Sequence, residues 1–263
     1  MIKDAIGILD MGMESFNILP ILAKKFKHER FVYANDLPNQ PYDGKTEPEI
    51  LELVKANVEK LRRENLKLLV VSSDVIIEHA IDYLRTLSIP VIDLVSTLIN
   101  YVNVKYEQKN IVLLAKNSIL EANLYQKNFK YNHLYCCASD ELESIIRNRM
   151  TKTTKSFYTA KEILLPAIKK DVDVIITSTP NLTLMKIEMG EYLKGSEITN
   201  VGEILAERMT EAEIKFNDKG RGKIQVLTDT NKKTFRTYLY GEKFPYRIKK
   251  PVKPEILATD TQP

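Results

Sequence analysis

Two apolar runs, about a hundred residues apart, end the same way. Lys67-Leu-Leu-Val-Val-Ser-Ser-Asp74 stops at two hydroxyls and a carboxylate, and Val172-Asp-Val-Ile-Ile-Thr-Ser-Thr-Pro180 stops at three hydroxyls and a proline. Each reads as a buried strand whose carboxyl end hands small polar residues to the start of a helix. In open α/β sheets ligands bind at such ends, where helix N-termini present unpaired N–H groups. One end in each half of the chain predicts a site assembled between two similar lobes.

The rest of the pattern fits that plan. Strands are expected at 5–9, 31–34, 67–72, 90–93, 110–114, 133–136, 172–177 and 223–227. Helices are expected over 14–26, 48–65, 74–87, 97–106, 118–129, 140–150, 160–169 and 201–209. Strands alternating with helices of this length argue for parallel sheets covered on both faces. The expected division is a first lobe of 1–96 and 203–245, a second lobe of 97–202, and a flexible tail over 246–263, where proline and charge accumulate.

Composition narrows the function classes. The 263 residues carry 39 basic and 35 acidic side chains, a net +4 that is too mild and too mixed to imply nucleic-acid binding. No apolar run approaches the roughly 20 residues needed to span a bilayer. The first nine residues read as a strand rather than a leader peptide. The only two cysteines, Cys136 and Cys137, are neighbours, so there is no disulfide framework and a reduced, cytoplasmic protein is expected. Adjacent residues cannot face each other across a substrate, and this pair is expected to be buried and structural.

Four loops form an ordered series: Gly7-Ile-Leu-Asp10-Met-Gly12, Asp36 through Pro41-Tyr42, Val70-Val-Ser-Ser-Asp74, and Ile176-Thr-Ser-Thr179. With Ile89-Pro-Val-Ile92, Ala115 to Tyr125 and Thr199-Asn-Val-Gly202, the chain resembles glutamate racemase of the aspartate/glutamate racemase superfamily, from Ile6 to about Tyr240. The resemblance implies a pseudo-symmetric pair of α/β lobes with a small amino acid in the crevice between them, no cofactor, no metal, and commonly a homodimer. It implies a cysteine thiolate on each side of the substrate, one removing the α-proton and the other returning one. By the same resemblance Asp10, Ser73 and Ser178 hold the catalytic positions, and Asp10, Gly12, Pro41, Tyr42, Ser73, Asp74, Ser118, Ser178 and Thr179 line the ligand site. An acidic residue of the second lobe is expected near Glu143 or Ile145.

The chain departs from its family at the decisive places. Ser73 and Ser178 stand where the family has its two cysteines, Pro180 stands for a histidine, Asp74 for a neutral amide, and Asp43 for a glycine. Taking bulk water's 15.7 as a ceiling, a hydroxyl titrates up to roughly 7 units above a thiol, about 10 kcal/mol of extra cost for generating the base. A serine recovers this only beside a general base. Ser73, Asp74 and the Thr179-Pro180 pair also make ordinary helix caps. The expectation is therefore a racemase-like protein without two-thiol chemistry that keeps a crevice for a small amino-acid-like molecule. If Asp10 and Asp74 both point inward, an amine-bearing ligand is favoured over a dicarboxylate. The alternatives are an active isomerase using Asp10, Asp74 or the serines, and an interaction protein acting through its surface, such as the gyrase modulation known for some family members.

Overall fold

In a computed structural model of the chain, residues 4–42, 44–241 and 243–251 are described. Asp43 and the tail beyond residue 251 lie outside them.

Two parallel sheets organise the fold. The first has the order β10-β9-β2-β1-β3-β4, built from β1 (Ala5–Leu9), β2 (Arg30–Ala34), β3 (Leu66–Val71), β4 (Val91–Asp93), β9 (Lys223–Leu227) and β10 (Arg247–Lys249). The second has the order β6-β5-β7-β8, from β5 (Asn110–Ala115), β6 (His133–Ala138), β7 (Val174–Thr177) and β8 (Glu197–Ile198). Every pairing in both sheets is parallel. The order 2-1-3-4 of the first sheet recurs as 6-5-7-8 in the second. Each lobe therefore has a central strand, β1 or β5, at which the chain reverses its direction of travel across the sheet. Ligand sites of open α/β sheets lie outside the strand ends at such points.

Helices cover both sheets: α1 (Leu19–Lys25), α2 (Glu47–Arg62), α3 (Asp74–Arg85), α4 (Leu94–Lys105), α5 (Asn117–Glu121), α6 (Asp140–Arg147), α7 (Thr154–Leu164), α8 (Lys186–Tyr192), α9 (Val201–Thr210) and α10 (Lys232–Thr237). Three helices depart from the sequence expectation for local reasons. The first, expected over 14–26, becomes a short 3₁₀ turn followed by α1, because Pro20 sits in the opening turn of the α-helix. The helix expected over 118–129 ends at Glu121, with Asn123 left-handed at φ 55°. The one expected over 160–169 begins earlier, at a Thr153–Ser156 capping box, and stops before Pro166.

The flexible tail expected over 246–263 is corrected at its start. Arg247–Lys249 is a strand paired with β9, and Lys249 Nζ closes an ion pair with Glu64 at 2.5 Å. The proline and charge of that stretch concealed three residues with a sheet edge to join.

One core spans both lobes. Alternation along β5 sends Ile111, Leu113 and Ala115 into the same apolar cluster as β1, β3, α4 and α9, while Val112 and Leu114 pack with α6, α7 and α8 on the other face. Helix α9 returns the chain to the first lobe and packs on α1 and α4.

Candidate functional site between the lobes

The carboxyl ends of β1, β3, β5 and β7 converge on one buried crevice lined by Asp10, Glu14, Ser73, Asp74, Lys116 and Ser178, with Ser72, Thr179 and Pro180 beside them. Asp10 follows β1 directly and Lys116 follows β5 directly, so the same place in the two lobes carries opposite charges.

Asp10 is held from its own lobe. Its Oδ2 accepts from the Ser15 N–H at 2.8 Å and the Tyr33 hydroxyl at 2.6 Å, while its Oδ1 is buried without a partner. Burial raises its pKa, opposed in part by the Tyr33 hydrogen bond. Glu14 is buried close by, with Oε2 unpartnered. Burial, and then the charge of Asp10, push its carboxyl up to about 7.

The second lobe answers with Lys116, whose Nζ donates to Glu143 Oε2 at 2.8 Å with both side chains almost fully buried. Burial alone would lower the lysine's pKa, but the surrounding carboxylates, Glu143 and Glu14 foremost, outweigh it and raise it. Glu143 Oε1 also accepts from Ser139 Oγ at 2.8 Å and Thr179 Oγ1 at 3.0 Å. Of the two positions considered for the second-lobe acid, Glu143 is the one at the crevice.

The lobes meet through a single short contact in this network. Ser178 Oγ, at the end of β7, donates to Asp74 Oδ2, at the start of α3, at 2.6 Å. Asp74 Oδ1 accepts from the Val75 N–H at 2.9 Å. Burial pushes the Asp74 carboxyl up to about 6, against the pull of the Ser178 hydrogen bond. Ser73 is the N-cap of α3, though its Oγ is a long 3.5 Å from the Ile76 N–H. Thr179 precedes the proline of a 3₁₀ turn as expected, but its hydroxyl goes to Glu143 instead of capping that turn. In this arrangement the side chains leave no cavity for even one water molecule among them.

The remaining residues implied by the family pattern lie outside this network. The Gly12 carbonyl accepts from the Tyr33 hydroxyl at 2.8 Å, which places the turn beside Asp10. Tyr42 follows the cis Gln40–Pro41 bond and is buried, its hydroxyl committed to Asp36 Oδ2 at 2.8 Å. Ser118 is exposed on α5 and does not join the group. The three histidines are elsewhere: His28 contacts the Gly220 carbonyl, His79 sits beside Glu78, and His133 is exposed on β6. Cys137 is buried as expected, with its thiol pushed up to about 12 by burial, but Cys136 is exposed, since successive strand residues face opposite sides.

Glu14 and Lys116 were not among the expected site residues. For Lys116 a signal was present: a lysine placed directly after a continuous apolar strand is almost never fully buried unless it is paired. Glu14 gave no such signal, being one of several polar residues in the turn after β1.

Together these elements define a two-lobed α/β protein with its candidate site at the facing strand ends. No protein-family model matches the chain. A glutamate racemase of Fusobacterium nucleatum is 26% identical over 228 residues, covering 83% of this chain and 86% of the relative. One of Clostridium acetobutylicum is 27% identical over 231 residues, covering 76% of this chain and 88% of the relative. In fold, the crystal structure of glutamate racemase from Thermus thermophilus, in complex with beta-chloro-D-alanine, aligns with a TM-score of 0.79 at 22% identity, over 90% of this chain and 91% of that one. The chain is thus similar in sequence to glutamate racemases and shares the two-lobed fold of their solved structures.

Proposed function

We propose that this chain has lost two-thiol racemisation and keeps the crevice as a binding site for a small amine-bearing, amino-acid-like molecule. The observation that carries this reading is the crevice's inventory. Three buried carboxylates, Asp10, Glu14 and Asp74, line the crevice with one buried lysine that is already paired with a fourth, Glu143, and no cysteine or histidine among the described residues lines it. A thiolate base is therefore missing from both strand ends. The negative excess opposes a dicarboxylate and favours an ammonium group, for which the unpartnered Asp10 Oδ1 and Glu14 Oε2 supply acceptors. Entry of a ligand requires the lobes to part at the Asp74–Ser178 contact and at Lys116.

A second reading rests on that same contact. Asp74, with its carboxyl at about 6, sits 2.6 Å from Ser178 Oγ and is a general base beside a hydroxyl. Full proton transfer from serine to such a carboxylate spans roughly 10 units, about 13 kcal/mol. In this reading Asp74 itself is the base and Ser178 positions it.

α-Proton exchange in D₂O, followed by NMR with both enantiomers of glutamate and aspartate, separates the two. The natural protein is expected to be silent, and the Ser73→Cys/Ser178→Cys variant to exchange if only the thiols were lost. Exchange by the natural protein that disappears in Asp74→Asn would establish the second reading instead.

A further inference from the structure

A separate cavity of about 960 Å³ opens beside the crevice, between the 3₁₀ turn after β1, the end of α6 and the segment that follows α10. Its chemistry is unlike that of the crevice. Arg149, Lys152, Arg236 and Lys243 line it, and no carboxylate of a described residue does. Arg149 Nη2 donates to the Thr237 carbonyl at 2.9 Å, and none of the four cations forms an ion pair among the described residues. Glu242, the one acidic residue in the sequence of that segment, lies outside the described residues.

Aromatic side chains line the same cavity. Phe16 and Phe244 have ring centroids 4.8 Å apart, and Tyr246 packs edge-on to Phe16 at 5.5 Å. Tyr240 closes the side toward the crevice, its hydroxyl accepting from Asn181 Nδ2 at 3.2 Å. Four cations lining one cavity, with no ion pair among the described residues, repel one another and attract an anion. Phe16 is itself buried, so the partly exposed rings of Phe244 and Tyr246 offer a flat group a place to stack, and the volume suits a ligand larger than a single amino acid.

We propose that this cavity binds a nucleotide, with its base against Phe244 and Tyr246 and its phosphates among Arg149, Lys152, Arg236 and Lys243. Both halves of the ligand are required, because the cations alone would hold any anion and the rings alone any flat apolar molecule.

Isothermal titration calorimetry of the full chain with ADP, UDP, adenosine and inorganic phosphate tests this. At least one of the nucleotides is expected to bind saturably at one site, and more tightly than adenosine or phosphate. The exposed pair Arg236→Gln/Lys243→Gln is expected to weaken it about tenfold. Phe244→Leu is expected to weaken it severalfold through lost stacking. Asp74→Asn is expected to leave it unchanged. The proposal is overturned if neither nucleotide binds at millimolar concentration or if phosphate alone binds as tightly. It is equally overturned if the double variant, with an unaltered melting temperature, binds as the natural protein does. Loss of binding in Asp74→Asn would move the nucleotide to the crevice and overturn it too.

Discussion

Lys116 holds in the second lobe the place that Asp10 holds in the first, and the crevice's electrostatics follow from that exchange. A single lysine cannot neutralise four buried carboxylates, and Asp10, Glu14 and Asp74 keep protons that water would remove. Asp74 moves from an ordinary 3.8 to about 6 and Glu14 from 4.5 to about 7. A carboxylate whose folded-state pKa is raised binds its proton more tightly folded than unfolded. Its stabilising contribution is therefore present at low pH and is lost as pH rises through the interval between the two values. Stability is expected to fall between about pH 4 and pH 7, with Asp74 alone accounting for on the order of 3 kcal/mol. Glu64 acts in the opposite sense: burial raises it, but Lys249 and Arg30 outweigh burial and hold it low, so its contribution disappears only in stronger acid. Urea denaturation at pH 5 and pH 7.5 measures the slope, and Asp74→Asn is expected to flatten it while keeping an acceptor for Ser178. An unchanged slope in that variant would place the titration elsewhere. At this scale the sequence revealed the polar strand ends, because Ser72, Ser73, Asp74, Ser178 and Thr179 interrupt apolar runs. It concealed the partnership of Asp74 with Ser178, since residues 104 apart in sequence carry no local mark of contact.

Elements were legible where a single local signal decides them. Strands β1 and β9 follow from their apolar runs, and α2 from its period and its Thr46–Glu49 capping box. The two-residue β8, and β10 with its charged ends, exist because a sheet edge was available, which is a tertiary fact. The entry to β9 shows how tightly such an edge is built. Gly222 donates its N–H to the Lys27 carbonyl at 3.1 Å, just ahead of the β2–β9 ladder. A Cβ added there would lie 2.5 Å from that carbonyl oxygen and 2.7 Å from the Glu29 carbonyl oxygen, both backbone atoms that cannot rotate aside. Gly222→Ala is expected to destabilise the protein by about 2–4 kcal/mol, as forced backbone displacement does. Gly44→Ala, where a Cβ meets nothing within 4 Å, is strained only by its φ of 81° and is expected to cost less. Thermal melts of the two variants compare them directly, and equal losses would mean that β9 can shift at little cost.

Across the whole molecule, two sheets suggest two folding units, yet the packing argues for one. The inner faces of β5 and β7 place Ile111, Leu113, Ala115, Val174 and Ile176 in the same cluster as β1 and β3. Helix α4 links the sheets and packs on α3, while α9, entered from the second lobe, packs on α1 and α4. The buried Asp74–Ser178 hydrogen bond closes the opposite side. Unfolding the second lobe alone would strip apolar cover from the first and take the Ser178 donor from Asp74, so neither lobe keeps its stability without the other. Calorimetry is expected to show one transition with equal calorimetric and van't Hoff enthalpies, on the order of 180 kcal/mol for a chain of this length near 60 °C. Tyrosine fluorescence, the available intrinsic probe in a chain without tryptophan, is expected to coincide with far-ultraviolet circular dichroism. Two resolved transitions would mean that the shared cluster does not couple the lobes. Any opening of the crevice would then be free domain motion, rather than the local parting at Asp74, Ser178 and Lys116 that a continuous core permits.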